Sequence, residues 1–539
     1  MQKEYSLLEN YEWFGTFWFE TEDGEDSPPD EQFSGKLYYD PTKGIKLEIM
    51  LSENHYLSFE QKYKDGLHHI LGVVDDINGI QHVSLYKCLC RPAHHSSGIA
   101  GKISIICYSL VIGSKYFSRD FLFVKCNTKY RYMPEFIKYR NNSNLDNIFS
   151  FKVNNEINAD ISPQLKILNF PSFIMKQGID ETNEEYEIRK NKVEQLQSNL
   201  ETQLSELKAS VKNSSTEDTY ICSLYRDDKQ LENFNTLIKS VDKVKNVFSL
   251  LLCKSFYVEQ IHVVYNIKNQ SDGSTYESNA FVFHYINSLS KDELNNIPEV
   301  STMYSPQYGN PFSIDSIDSN KVTEFAKLIN NEDNSMLISY MLFYIKKELV
   351  YDYEAKERFI LAMSLLEREY NNLCSDNNKD DKKYDIVIEK YANEQIFNIF
   401  LYILTNSSID TDTIKLNDIL KTSNTYYMGT ILSFFRNTIV HNDNNNLGGM
   451  GCDTPEKKAL KKKYQNYWST NVYILTNITQ FTSVLLFIIL YSKIDVNKTT
   501  FDDIVDRLLT KHYGSEQYRE NNIRNSIENS TKLTDKLNS

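Results

Sequence analysis

The sequence lacks both an excess of positive charge and a repeated cysteine spacing. Its 539 residues carry a formal net charge of −14, which argues against a protein that coats nucleic acid over its whole surface and leaves only a local basic patch open. Its eight cysteines are scattered, and no signal peptide opens the sequence. We therefore expect reduced thiols and a cytoplasmic location.

The sequence also lacks an unbroken apolar run long enough to cross a membrane. The most apolar stretch, residues 481–491, is about half of the roughly 20 residues that a bilayer crossing needs. Polar residues precede it, namely Thr476, Asn477, Thr479 and Gln480. The pattern favours a buried helix in a soluble bundle, and we expect no membrane partner.

Signatures of P-loop, nucleotidyltransferase and protease families are absent as well. One group of metal-ligand residue types is present, formed by Cys88, Cys90, His94 and His95 with His82 upstream. Zinc sites usually place two residues between paired cysteines and add a second well-spaced pair. Cys88 and Cys90 instead fall on one face of a predicted strand, so we expect no metal and no cofactor.

The N-terminal part, residues 1–305, is predicted to be an antiparallel β domain. Apolar residues at 45, 47 and 49 alternate with Lys46 and Glu48, which is the pattern of a half-buried strand, and the preceding Asp-Pro-Thr-Lys-Gly segment predicts a turn. The other predicted strands lie at 13–19, 33–39, 83–90, 101–112, 121–126, 255–267 and 278–286.

A helical insertion is predicted within this part, at residues 180–212. Val193, Leu196, Leu200, Leu204 and Leu207 repeat near heptad spacing among charges of both signs. Two interpretations remain for this helix: an arm that packs on a partner chain, and a helix that lies on its own β domain.

From residue 318 onward the apolar period is helical. Helices are predicted at 318–329, 335–348, 355–370, 384–405, 426–441, 456–493 and 501–509. Long helices with short connections predict an up-and-down bundle over 318–515, followed by a polar tail at 516–539. The predicted fold class is therefore α+β and multidomain.

One predicted helix, residues 426–441, ends in residues that can carry chemistry. Its apolar face contains Met428, Leu432 and Ile439, and the polar, glycine-bearing run after residue 441 ends it. Arg436 and His441 lie at the edge of that face. An always-charged guanidinium and a titratable imidazole supply the charge stabiliser and the proton carrier that phosphodiester chemistry needs.

Arg436, Asn437 and His441 form the pattern Arg-Asn-x-x-x-His, which resembles the catalytic signature of HEPN-domain ribonucleases. The segments Gly15-x-Phe-Trp, Gly35-x-Leu and Gly44-Ile-x-Leu resemble the N-terminal domain of ApeA-type anti-phage proteins, which carry a C-terminal HEPN domain. The resemblance implies an all-α HEPN bundle at the C-terminus. It also implies a metal-independent endoribonuclease of abortive-infection defence, with an N-terminal domain that senses or regulates and that a phage-encoded trigger acts on.

The spacing of the signature bears on how such a site is assembled. On a straight helix, Arg436 and His441 point about 140° apart, so one chain does not easily aim both at one phosphate. Two copies about a twofold axis place two pairs around a shared cleft, and HEPN ribonucleases are dimers with a composite site. We expect His441 to transfer protons, Arg436 to hold the phosphate, and Asn437 to orient the arginine or a phosphate oxygen.

The expected products are a 2′,3′-cyclic phosphate and a 5′-hydroxyl, because the nucleophile is the ribose 2′-hydroxyl. Glu367 interrupts an apolar face and is predicted to be a buried partner of Arg436. A basic patch, predicted to attract RNA, follows the signature loop and consists of Lys457, Lys458, Lys461, Lys462 and Lys463. Transfer RNA is a plausible target because its loops offer unpaired nucleotides.

Two alternatives stand beside this interpretation. Arg436 and His441 can be a helix C-terminal pair that binds an acidic neighbour and a last-turn carbonyl. The bundle can also be a non-catalytic HEPN interaction module in a sensor or scaffold. The presence of Arg436, Asn437 and His441 together favours the ribonuclease.

Overall fold

The structure is a computed structural model, and it describes only part of the chain. The described residues are 4–20, 31–51, 59, 63, 66–76, 79–92, 101–133, 149–164, 219–226, 231–268, 275–295, 297, 318–346, 352–374, 383–391, 396, 399–400, 403, 428–429, 432–433, 436, 439–440, 472–494 and single positions between 502 and 521. They belong to two units. The first consists of residues 1–150, 159–237 and 258–290, and the second of residues 151–158, 238–257 and 291–539.

The first unit contains a closed antiparallel β-barrel. Its strands are β1 (Tyr11–Phe19), β2 (Phe33–Asp40), β3 (Gly44–Leu51), β4 (His68–Asp76), β5 (Gly79–Pro92) and β6 (Gly101–Cys107). They pair in the order β5-β4-β1-β2-β3-β6, and a further pairing between β5 and β6 closes the ring. The prediction of an antiparallel β domain is confirmed.

The sheet continues beyond the barrel through further strands. These are β7 (Ser109–Gly113), β8 (Leu122–Phe123), β9 (Lys125–Tyr130), β10 (Phe149–Lys152), β11 (Ile157–Gln164), β12 (Thr219–Arg226), β13 (Glu232–Asn233), β14 (Val258–Lys268) and β15 (Thr275–His284). From β5 the order runs β7-β15-β14-β9-β12-β11-β10, while β13 and β8 form a separate pair. The predicted helix at 180–212 lies outside the described residues.

The barrel wall follows the predicted alternation of buried and exposed side chains. Ile45, Leu47 and Ile49 of β3 are buried, whereas the Lys46 ammonium group and the Glu48 carboxylate pair on the outer face. Glycine is required where strands approach closely. A Cβ atom at Gly15 would lie 2.2 Å from the main-chain oxygen of Val73 in the neighbouring strand, which explains the glycine of the Gly-x-Phe-Trp segment.

The second unit is helical. Its helices are α1 (Phe234–Leu252), of which residues 238–252 belong to this unit, α2 (Lys291–Asn295), α3 (Ser319–Asn330), α4 (Ser335–Lys346), α5 (Asp352–Leu373), α6 (Lys383–Tyr391) and α7 (Val472–Ser492). Helix α1 was not predicted, since residues 1–305 were interpreted as strands with one insertion. Helix α2 was not predicted either, whereas α3 to α7 match predicted helices where both are described. Their assignment to the HEPN fold stays a prediction.

Helix α7 is the buried centre of these helices. Thr479, Thr482 and Ser483 are fully buried, and their hydroxyls donate to carbonyls one turn earlier, so the apolar helix contains no unpaired hydroxyl at these positions. Thr479 also donates to the carbonyl of Ala355 in α5 at 3.2 Å. One stretch of this helix, Leu475–Ser492, is long and apolar enough to cross a membrane, and 78% of it is buried inside the protein.

Candidate functional site

The signature segment is helical at every described position from 428 to 440. Met428 and Leu432 are fully buried, as their place on the apolar face predicts, while Arg436 and Ile439 are half-buried and Val440 is exposed. We call this segment the signature helix. Asn437 and His441 lie outside the described residues.

A glycine brings the signature helix close to the start of α6. A Cβ atom at Gly429 would lie 2.4 Å from the main-chain nitrogen of Asp385 and 2.6 Å from the carbonyl carbon of Tyr384. Arg436 follows Gly429 by seven residues, which is close to two helical turns and about 10 Å along the axis. Gly429 and Arg436 therefore share the helix face that meets α6.

On that face, Arg436 lies beside a carboxylate that accepts hydrogen bonds from two other side chains. Nη2 of Arg436 is 3.7 Å from Oε2 of Glu367 in α5, outside hydrogen-bond distance. The Lys383 ammonium donates a short hydrogen bond to Oε1 of Glu367, and the Tyr384 hydroxyl donates to Oε2 at 3.4 Å. We call these four residues the Glu367 cluster.

The charges of the cluster keep the carboxylate ionised. Burial has the largest single effect on the Glu367 pKa and raises it, but Lys383, Arg436 and the Tyr384 hydroxyl together lower the pKa below its ordinary value of 4.5. The side chain is half-buried, not fully buried as the sequence suggested. Burial raises the pKa of Tyr384, which therefore stays a neutral hydroxyl.

The guanidinium of Arg436 has a donor that none of the described residues accepts from. Its Nε atom is buried and has no hydrogen-bond partner among the described residues. A guanidinium carries five N–H donors in a planar fork that matches two oxygens of a carboxylate or a phosphate. The arrangement is that of a cation held near an internal carboxylate without being saturated by it.

A second carboxylate on α5 shows a closed network. Glu369 is buried, and it accepts hydrogen bonds from the Tyr391 hydroxyl at 2.6 Å, the Lys493 ammonium at 2.8 Å and the Asn372 amide at 3.3 Å. This network ties α5 to the end of α6 and to the residue that follows α7. The helices that present Glu367 and Lys383 are thereby joined.

The sequence identified some of these residues and not others. Glu367 stood out because a carboxylate interrupts an apolar face, and the structure places it near Arg436. Lys383 and Tyr384 were missed. Their signal was a polar Lys-Lys-Tyr-Asp run directly before an apolar helical period, which marks a helix start. The predicted basic patch from Lys457 to Lys463 lies outside the described residues.

The cysteines of the barrel form a reduced pair. Sγ of Cys88 is 3.3 Å from Sγ of Cys107 in the adjacent strand, and burial raises the pKa of the Cys88 thiol. Burial also raises the pKa of Cys90 to about 12. Across the described ranges, no three His, Cys, Asp or Glu side chains are placed to hold a metal ion. His94 and His95 lie outside those ranges.

One comparison with known proteins gives a match. A family model described as ApeA N-terminal domain 1 matches residues 12–299, which is more than half of the chain and includes the whole barrel. No curated protein and no solved structure matches the chain.

Proposed function

The chain belongs to the ApeA N-terminal domain 1 family and is an ApeA-type anti-phage protein, and on this basis we propose that its C-terminal helices form a metal-independent endoribonuclease of the HEPN type. The proposal rests on the contacts that the Arg436 guanidinium makes in the structure. This guanidinium lies on a helix anchored by buried residues, 3.7 Å from a carboxylate, and its Nε donor has no hydrogen-bond partner among the described residues. A phosphate group is the ligand that matches such a guanidinium.

The neighbours of Arg436 support a phosphate-binding role. Both oxygens of Glu367 already accept hydrogen bonds, from Lys383 and from Tyr384. Nη2 of Arg436 lies 3.7 Å from Oε2 of this carboxylate and makes no hydrogen bond to it, while the Lys383 ammonium offsets part of the carboxylate's charge. In the proposed reaction, Arg436 holds the scissile phosphate and the negative charge that builds on it in the transition state.

His441 is the proposed proton carrier. It takes the proton of the ribose 2′-hydroxyl or protonates the departing 5′-oxygen, and Asn437 orients the arginine or a phosphate oxygen. A position near a helix C-terminus favours the imidazolium. Since Arg436 and His441 point about 140° apart on one helix, the proposal includes a homodimer in which two copies build a composite site.

The remaining parts of the proposal concern the substrate and its control. The five lysines from Lys457 to Lys463 attract RNA, and the loops of tRNA supply the unpaired nucleotides. The N-terminal domain senses or regulates and receives a phage-encoded trigger, and the protein acts in the cytoplasm. The reaction uses no metal or other cofactor.

The test compares the wild-type chain with Arg436→Ala and His441→Ala on total RNA in EDTA. We expect wild type to leave 2′,3′-cyclic phosphate ends, and each variant to lose at least about 100-fold in rate. Arg368→Ala is the matched control, because Arg368 is a half-buried arginine of the same helical unit outside the Glu367 cluster. It should cleave like wild type.

If purified wild type leaves RNA intact, the assay is repeated in lysate of phage-infected cells, which contains the proposed trigger. Intact RNA there as well contradicts the ribonuclease and leaves the non-catalytic interaction module as the function of these helices. Cleavage that persists in Arg436→Ala contradicts the assigned site.

A further inference from the structure

We propose that Lys383 is a positioning residue of this site, which pairs with the Glu367 carboxylate, offsets its charge and so keeps the Arg436 guanidinium available for a phosphate. The inference rests on the proposed function, because it takes Arg436 to be the phosphate-binding group. It adds a residue that the signature does not contain, and it gives Glu367 a defined partner.

The contact distances carry the first step. Arginine and carboxylate normally close into two parallel hydrogen bonds, which makes arginine the stronger of the two cationic partners. In the Glu367 cluster the order is reversed. Lys383 donates a hydrogen bond to Oε1, whereas Nη2 of Arg436 stays 3.7 Å from Oε2 and makes none.

The second step concerns what fixes Lys383. It is the first residue of α6, and its ammonium group lies 5.2 Å from the ring centroid of Tyr384, the next residue. The Tyr384 side chain is almost fully buried, so it provides a rigid surface under the ammonium group. The Lys383 side chain is therefore already restricted by its contact with the Tyr384 ring. It loses little further conformational entropy when it hydrogen-bonds Glu367.

The third step asks what Glu367 does without Lys383. Lys383 makes the largest contribution that lowers the pKa of Glu367, so without it Arg436 is the cation that still stabilises the ionised carboxylate. A movement of about 1 Å brings that pair into hydrogen-bond distance. A closed pair then competes with the substrate phosphate for the same guanidinium donors.

This competition has a distinctive kinetic signature. In the variant, the ion pair between Arg436 and Glu367 must be broken before the substrate phosphate binds. The free energy needed to break it weakens binding of the substrate and of the transition state equally. Lys383→Met should therefore raise KM about tenfold and leave kcat nearly unchanged. Lys383→Arg restores a cation at this position and should stay within about threefold of wild type.

The decisive variant is the double one, Lys383→Met with Glu367→Gln. A neutral amide does not capture Arg436, so the double variant should recover most of the lost KM and match Glu367→Gln alone. A merely structural role of Lys383 does not produce recovery, since a second substitution in the same cluster would add to the damage.

The experiment uses the full chain and a fluorescent tRNA anticodon stem-loop in EDTA, with Arg436→Ala as the reference for a dead site. Lys383→Gln replaces Lys383→Met if the latter melts earlier than wild type. The inference is overturned if the Lys383 variant has wild-type KM, or if the double variant is no better than the single one, while Arg436→Ala stays inactive. If wild type leaves the stem-loop intact even in infected lysate, or if Arg436→Ala cleaves it, the result contradicts the proposed function. The inference on Lys383 is then contradicted as well, because it depends on that function.

Discussion

Gly429→Ala tests the contact that places Arg436 beside the Glu367 cluster. Alanine is favoured over glycine in a helix interior by about 1 kcal/mol, so in open space the substitution would stabilise the protein. Here the new Cβ would meet the main-chain nitrogen of Asp385 at 2.4 Å and the carbonyl carbon of Tyr384 at 2.6 Å, where 3.4 Å is the lower limit of ordinary contact. Main-chain atoms cannot swing aside as a flexible side chain can.

The magnitude follows from these distances. The signature helix and α6 must separate by about 1 Å, and overpacking of this kind costs about 1–3 kcal/mol. After the gain in helix propensity, we expect a net destabilisation of up to about 2 kcal/mol, which lowers the melting temperature of the helical unit by up to roughly 8 °C. Because Arg436 lies on the same helix face as Gly429, the separation should also slow RNA cleavage.

The assay is thermal unfolding followed by circular dichroism, combined with the cleavage assay described above. Ser364→Ala is the matched control. Ser364 is exposed in α5, so the substitution changes helix propensity without touching a neighbouring helix, and it should leave melting and cleavage near wild type. If Gly429→Ala melts at or above the wild-type temperature, the close approach of the two helices is refuted.

Two further predictions concern charged and titratable groups in the two units. Lys493→Met leaves the buried Glu369 without its ammonium partner and should destabilise by about 2 kcal/mol at pH 7, whereas the exposed Lys356→Met should not. Since Lys493 helps to hold the pKa of Glu369 below 4.5, the gap to wild type should close in urea titrations as the pH falls below that value; a gap that stays constant with pH counts against the ion pair. Burial lowers the pKa of His262 from 6.5 to about 4, so the unfolded chain binds its proton first and stability is lost as pH falls from about 6.5 to about 4. His262→Gln should flatten this pH dependence by up to about 3 kcal/mol, and an unchanged slope would show that other groups cause it.

Local pattern predicted the elements of this fold better than their pairing. The alternation at residues 45–49 correctly identified the buried side of β3, because side chains on a strand point alternately to two faces. It contained no information on which strands close the barrel. Closure depends on the pairing of Leu89 with Ile106 and of Ile45 with Cys107, and the second of these joins β3 to a strand that follows it only after β4 and β5.

Helix α1 was missed although its pattern is present in the sequence. Leu237, Val241, Val244 and Phe248 recur at helical spacing, and all four are fully buried. The strands on both sides of this segment favoured a continuous β interpretation. The period of residues 234–252 was the better guide, because burial on one face follows the local period whatever the neighbouring elements are.

For the site, the sequence could identify unusual residues but not the order of their contacts. A carboxylate in an apolar face and an arginine at the edge of another were both visible, and the structure brings them within 3.7 Å. Lys383, and not Arg436, hydrogen-bonds the Glu367 carboxylate because of the way the first residues of α6 pack against the signature helix. This in turn depends on the missing side chain at Gly429, so distances of a few tenths of an ångström decide the matter.

Helix α5 provides an internal standard for interpreting Arg436. Two residues after Glu367, Glu369 shows what a structural carboxylate looks like here, since three donors close on it at 2.6–3.3 Å. A purely structural role for Arg436 predicts the same closure on Glu367. Instead the arginine stays beyond hydrogen-bond distance, with a buried Nε that has no partner in the described part of the chain. Two carboxylates on one helix, one network closed and the other open, support the proposal that a ligand is the missing partner of Arg436, and a phosphate fits its charge and planar donors.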